Sequence, residues 1–257
     1  MLNGMEISAR QAEIAEIVQA NGFLSVDELA ARFGVTTQTI RRDVNRLCEV
    51  GILRRTHGGV EPPPVPDNIE YRTRQILNAQ AKRRIASSVA EEVPFGASLA
   101  FSIGTTPEIV MQALLKHEGL RIYTNNLNVA MAASSNTGFD VTIVGGRIRP
   151  GDRDILGPAT QAFFGGYKFD IGIFGVAGVD EDGTLLDFHE EEVLSRQAIL
   201  ENSRRSFLVL DHSKFGRTAH VRGGHIGDVS HVFCDRPPPP AISRMLARTG
   251  VQTTICE

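Results

Sequence analysis

A chain of 257 residues has room for one large core or for two unequal ones. Its net charge of −3 excludes a protein that coats nucleic acid through overall charge, and its ordinary balance of apolar and charged residues is that of a globular chain. Cys48, Cys234 and Cys256 are odd in number and lack CxxC spacing, so they read as reduced structural thiols rather than disulfides or a metal site. No apolar run approaches the roughly 18 residues of a membrane span. Residues 1–6 lack the basic-then-apolar order of a signal peptide. A cytoplasmic protein with no membrane contact, cofactor or metal is expected.

In chain order, Ile7, Ile14, Ile17 and Val18 recur at helical spacing until Asn21-Gly22 stops the pattern. Ser25-Val-Asp-Glu28 reads as a capping box that opens a second helix. Val26, Leu29, Ala30 and Phe33 form its buried stripe, and Gly34 ends it. A third helix follows, capped by Thr36 or Thr37, with Ile40, Val44 and Leu47 inward. Two short helices joined by a tight turn are the mark of a helix-turn-helix.

The outer face of the third helix carries Gln38, Arg42 and Asn45, flanked by Thr37, Thr39, Arg41 and Arg46. Such side chains pair with base edges and phosphates in a major groove. After Gly51 closes the helix, residues 52–60 read as a short hairpin carrying Arg54, Arg55 and His57, a basic wing. From residue 36 to 60, five arginines stand against Asp43 and Glu49, a local positive excess hidden in the overall charge. Thr37-Gln-Thr-Ile-Arg-Arg-Asp-Val-Asn-Arg-Leu47, then Gly51-Ile-Leu-Arg54 and His57-Gly-Gly59, resembles the N-terminal signature of DeoR-family repressors.

Glu61-Pro-Pro-Pro-Val-Pro66 suits an extended connection between domains. A basic helical stretch over 71–93, with Arg72, Arg74, Lys82, Arg83 and Arg84, reads as a bridge onto a second domain. The expected division is a winged helix-turn-helix domain over 7–62, a linker over 63–78 and a larger α/β domain over 79–257. In the latter, apolar runs at 99–103, 120–123, 141–144, 171–176, 207–210 and 231–234 alternate with helical patterns. That order predicts a mostly parallel sheet whose ligands bind at the carboxyl ends of its strands.

The first of those ends is Ser102-Ile-Gly-Thr-Thr-Pro-Glu108: Gly104 allows close backbone approach, Thr105 and Thr106 supply hydroxyls and amides, and Pro107 suits a first helical turn. Asn125 and Asn126 lie at the second, Gly145, Gly146 and Arg147 at the third. Lys214 follows a later strand and offers a point charge to a phosphate. Asp180 ends another candidate strand, and the acids after His189 suit a helix N-terminus, with Glu190 as a candidate contact for a sugar hydroxyl.

Gly104-Thr-Thr-Pro-Glu108, Thr124-Asn-Asn-Leu-Asn-Val-Ala130, Gly183-Thr-Leu-Leu-Asp-Phe188, Glu201-Asn-Ser-Arg204 and Asp211-His-Ser-Lys-Phe-Gly-Arg217 extend the resemblance along the chain. The second domain resembles the DeoR sensor, a relative of ribose-5-phosphate isomerase and glucosamine-6-phosphate deaminase folds. The resemblance implies a repressor that binds double-stranded operator DNA as a homodimer or homotetramer and is released by a small phosphorylated effector, glycerol-3-phosphate being favoured. Many relatives carry aspartate where this chain has Ser102. The rival reading, a sugar-phosphate isomerase, would use Asp180, a glutamate near Glu190 and Lys214; the isomerases carry Gly-Ala-Asp-Glu where this chain reads Gly178-Val-Asp-Glu181. The chain is therefore read as a non-enzyme with no catalytic residues.

Overall fold

The structure is a computed structural model that describes residues 7–63 and 70–257, except the side chains of Ala20 and Arg72. The sequence readings on residues 1–6, on residues 64–66 of the proline-rich connection and on the Arg72 side chain lie outside the described residues. The chain divides into two compact units, with the boundary between Ala79 and Gln80.

The first unit opens with α1 (Ala9–Asn21), capped by Ser8, with Gln11 reaching back in a capping box. Then come β1 (Leu24–Ser25), α2 (Val26–Phe33) and α3 (Thr37–Glu49). Ser25 and Glu28 form the expected box on α2, and Gly34 closes it at φ 62, in the left-handed region that glycine takes at little cost. Thr36 caps α3. Gly51 lies beyond its end at φ 73, and the Ile52 amide turns back to the Leu47 carbonyl at 2.9 Å. The hairpin of β2 (Arg54–Thr56) and β3 (Gly59–Glu61) forms the wing.

Strand β1, absent from the sequence reading, completes an antiparallel sheet of order β1-β3-β2. It is only two residues long, with no alternating pattern to betray it; Gly59 lets it approach. Ile14, Val18, Leu29, Ile40, Val44, Leu47, Ile52 and Val60 pack into one small core, each contributing on the order of 1.5–3 kcal/mol of burial. Helix α4 (Tyr71–Ile76) belongs to this unit, and Leu77 packs on its core. The basic stretch is thus two helices: Asn78 at φ 55 breaks it before α5 (Ala79–Glu92), and part of the expected linker is helical.

The second unit continues through β4 (Ser98–Phe101), α6 (Thr105–Ala113), β5 (Arg121–Thr124), α7 (Leu127–Ala133) and β6 (Asp140–Ile143). A small hairpin follows, β7 (Ile148–Arg149) with β8 (Asp154–Ile155), then α8 (Pro158–Gly165) and β9 (Phe169–Phe174). Next are β10 (Gly178–Val179), β11 (Thr184–Asp187), α9 (Glu190–Glu201), β12 (Ser203–Val209) and β13 (Val221–His225). The chain ends with β14 (His231–Cys234), α10 (Pro240–Thr249) and β15 (Gln252–Ile255).

Seven strands form a parallel sheet of order β15-β14-β12-β9-β4-β5-β6. Strands β10, β11 and β13 make a separate antiparallel sheet. Successive residues of the central strands enter opposite cores: Leu99 and Phe101 join one, Ala100 the other, so both faces of the parallel sheet are covered. The chain starts the sheet in the middle at β4, adds β5 and β6 on one side, then β9, β12, β14 and β15 on the other. The carboxyl ends of β4 and β9 therefore flank a reversal of strand order, where open parallel sheets place their ligands.

Candidate functional site

In the first unit, Gln38, Arg41, Arg42 and Asn45 are exposed along α3, while Thr37, Thr39 and Arg46 are half-buried on its flanks. The hydroxyls of Thr36 and Thr39 hydrogen-bond at 2.9 Å, which ties Thr39 to the cap. Arg46 lies 3.5 Å from Glu49. On the wing, Arg54, Arg55 and His57 are exposed, and the Arg54 Nε donates to Glu61 at 2.9 Å across the hairpin. Asp43, counted among the acids in the sequence, is buried on the inner side of α3 and accepts from Arg10 Nε at 2.7 Å and Gln11 Nε2 at 2.9 Å. It thus fixes the presenting helix against α1.

In the second unit, Ser102 is buried at the end of β4, its amide donating to the Ile173 carbonyl of β9 at 3.0 Å. Gly104 at φ 120 turns the chain into α6, whose first turn no side chain caps. Thr105 and Thr106 are buried in that turn. A helix N-terminus without a side-chain cap at the switch point is electrostatically suited to an anion. Gly175, just beyond β9, lies close by: a methyl there would stand 3.8 Å from Pro107 Cδ of α6.

At the end of β5, Asn125 and Asn126 are fully buried. Asn126 Oδ1 caps α7 by accepting from the Asn128 amide at 2.8 Å, and Asn125 Nδ2 donates to the Ile155 carbonyl at 2.9 Å. Their remaining side-chain atoms, Asn126 Nδ2 and Asn125 Oδ1, have no hydrogen-bond partner. Buried polar atoms are rarely left so. Gly145, Gly146 and Arg147, beyond β6, are exposed.

Lys214 is half-buried in a short 3-10 turn after β12 that Asp211 caps. Asp211 is fully buried. Burial works against its charge, but the cations of Lys214 and Lys82 and the hydrogen bonds from Ser213 outweigh it and hold the carboxyl below its usual range. Lys82, from α5, is buried too. The sequence reading assigned it to a bridging stretch; the missed signal was its place three, four and seven residues before the buried stripe of Ile85, Ala86 and Val89.

The acids after His189 form the first turn of α9. Glu190 is exposed, as is Asp180, so the structure buries neither of these candidate residues. Glu192 is the buried one, 2.7 Å from Arg149 of β7.

An exposed polar helix beside a basic wing, joined in one chain to a parallel α/β unit with an anion-suited crevice, defines the class of ligand-sensing helix-turn-helix proteins. Residues 10–63 match the DeoR-like helix-turn-helix domain, and residues 77–236 match the DeoR C terminal sensor domain. The chain is 43% identical to the glycerol-3-phosphate regulon repressor of Escherichia coli (strain K12), across 98% of this chain and 100% of that one. It is 45% identical to the glycerol-3-phosphate regulon repressor of Haemophilus influenzae, across 98% of each. The chain belongs to the DeoR family. Among solved structures, ribose 5-phosphate isomerase A from Methanocaldococcus jannaschii aligns with a TM-score of 0.40 and 14% identity, over 54% of this chain and 55% of that one. The translation initiation factor eIF-2B of Pyrococcus horikoshii OT3 aligns with a TM-score of 0.44 and 15% identity, over 84% and 78%.

Proposed function

We propose that this protein is a transcription repressor of glycerol-3-phosphate utilisation genes, which binds double-stranded operator DNA and lets go when glycerol-3-phosphate occupies its sensor unit. The observation that carries the reading is the buried pair of Lys82 and Asp211, with half-buried Lys214 beside it, in a chain that matches glycerol-3-phosphate regulon repressors along nearly its whole length. Residues 7–62 hold the operator: Gln38 and Asn45 read bases, Arg41, Arg42, Arg46, Arg54, Arg55 and His57 neutralise phosphates, and Thr37 and Thr39 orient the helix end. Residues 63–78 connect this domain to the sensor at 79–257.

In the sensor, Thr105 and Thr106 at the N-terminus of α6, with Lys214 and Lys82, receive the effector phosphate. Ser102, Gly104, Gly145, Gly146 and Arg147 shape the crevice around it. Asn125 and Asn126 meet the polyol part, and Asp180 and Glu190 contact it from the rim. One helix-turn-helix module reads a half-site, so the working form is a homodimer or homotetramer. Release follows only if the effector binds the operator-incompetent arrangement more tightly, because only differential affinity moves an equilibrium. The protein works in the cytoplasm, where its DNA is; no helix among the described residues is long and apolar enough to cross a membrane.

A gel-shift titration tests this reading. Glycerol-3-phosphate is expected to release the operator while inorganic phosphate does not. Release by a different small phosphate alone overturns the effector, and an absence of operator binding at low salt overturns the repressor.

A further inference from the structure

The hairpin of β7 and β8 lies against the loop that carries the two unpartnered amide atoms. The Ile155 amide donates to the Asn125 carbonyl and the Leu127 amide to the Arg153 carbonyl, both at 2.9 Å, and Asn126 forms an isolated bridge with Asp154. The hairpin's own turn does not prefer its shape: Arg153 sits at φ 56, in the left-handed region that residues other than glycine seldom take.

Arg149 holds this hairpin from both sides. It donates to Asp154 through Nε at 2.9 Å and Nη2 at 2.7 Å, a bidentate pair with a fully buried carboxylate. Nη2 also lies 3.0 Å from Asp152 and 2.7 Å from Glu192 on α9. Glu190 and Glu191, beside Glu192, are exposed and serve the helix dipole from solvent. Glu192 is turned inward, where only a cation makes its charge affordable.

We infer that Arg149 is a positioning residue of the effector site: its ion pairs to Asp154 and Glu192 hold the hairpin over the Asn125–Asn126 loop and keep the two free amide atoms in register for a ligand. The inference rests on the function proposed above, and it sharpens the ligand's chemistry. Asn125 Oδ1 is an acceptor and needs a donor, which the phosphate group of an ester dianion lacks and a carbon-borne hydroxyl has. Asn126 Nδ2 is a donor and suits a phosphate or hydroxyl oxygen. Within phosphate esters, the loop therefore asks for one that carries a free hydroxyl.

The test uses the full-length protein with Arg149→Lys, Arg149→Met and Glu192→Gln. Glycerol-3-phosphate affinity is measured by calorimetry, operator affinity by gel shift, and hydrogen exchange at the amides of Arg153 and Ile155, which the clamp holds. The expected result is an effector affinity about tenfold weaker in Arg149→Met and Glu192→Gln, partial recovery in Arg149→Lys, faster exchange at both amides and operator affinity within about twofold of wild type. Unchanged effector affinity in Arg149→Met and Glu192→Gln overturns the inference, as does a loss matched by equal loss of operator binding. If wild-type protein binds no glycerol-3-phosphate, the proposed effector fails and the exchange rates decide the clamp: acceleration in Arg149→Met supports it, and unchanged rates overturn it.

Discussion

Arg10 of α1 and Asp43 of α3 meet at 2.7 Å, and Gln11, which also closes the capping box of α1, donates to the second oxygen of the same carboxylate. One buried acid on the inner side of the presenting helix thus sets the angle at which that helix leaves the core. Asp43→Ala is expected to lower the melting temperature of the first unit by several degrees and to weaken operator binding, while glycerol-3-phosphate affinity stays as in wild type. Thermal melting followed by circular dichroism, beside calorimetry, checks both halves.

Gly59 decides whether the wing can close. A methyl there would collide with the Leu24 carbonyl and come within 2.7 Å of the Phe23 ring. Gly59→Ala is expected to cost about 1–3 kcal/mol, the range for overfilling a packed site, and to displace β3 from β1. Chemical denaturation should show the loss, and gel shifts should show weaker operator binding.

The role proposed for the arginines of α3 is to neutralise phosphate charge. Arg41→Ala and Arg42→Ala are each expected to reduce the slope of log operator affinity against log salt by about one for every phosphate contact removed. A slope equal to wild type in both variants would remove these side chains from the interface.

In the proposed site, Lys82→Met and Lys214→Met each take away a charge-assisted contact with the effector phosphate, worth about 1.5–3 kcal/mol. Effector affinity is expected to fall by roughly ten- to a hundredfold, with operator binding retained, so that the variants repress and do not let go. Calorimetry with glycerol-3-phosphate and a gel-shift release curve would show it. Lys82→Met should also raise the Asp211 carboxyl, because one of its two cations is gone.

His212 donates through its amide to Asp235 Oδ1 at 2.7 Å and pairs through Nδ1 with Oδ2 at 2.8 Å, with Arg84, Arg236 and Asp211 around the pair. The hydrogen bond with Asp235 raises His212. Burial opposes ionisation of Asp235, and the His212 hydrogen bonds outweigh it and lower its carboxyl. The stabilisation from His212 is therefore full below its unfolded value, near 6.5, and is lost as pH rises through its higher folded value. That from Asp235 is full above about pH 4 and is lost as pH falls through its lower folded value. Thermal melts of wild type and His212→Asn should differ more at pH 6 than at pH 8.5.

Much of this molecule was legible without coordinates. The caps at Ser25 and Thr36, the stop at Gly34 and the inward stripe of Ile40, Val44 and Leu47 all lie within four residues of the groups they act on, and each stands in the structure as the sequence suggests. The same holds for six of the seven parallel strands, and the apolar runs of β4, β9, β12 and β14 reflect burial on both faces. Strand β15 escaped because Gln252-Thr-Thr-Ile255 is a half-exposed edge paired on one side only, so its residues need not be apolar.

Local pattern by itself determined the elements and the kind of chemistry at the strand ends. Tertiary structure alone decided which buried charges are paired. Lys82 reaches Asp211, 129 positions further along the chain, and Arg149 selects Glu192 over its neighbours Glu190 and Glu191 by bringing β7 against α9. The physical reason is range. A cap or a buried stripe is settled between residues one helical turn apart, whereas a buried charge is tolerable only where a distant segment delivers its partner, and that depends on the order in which the strands assemble.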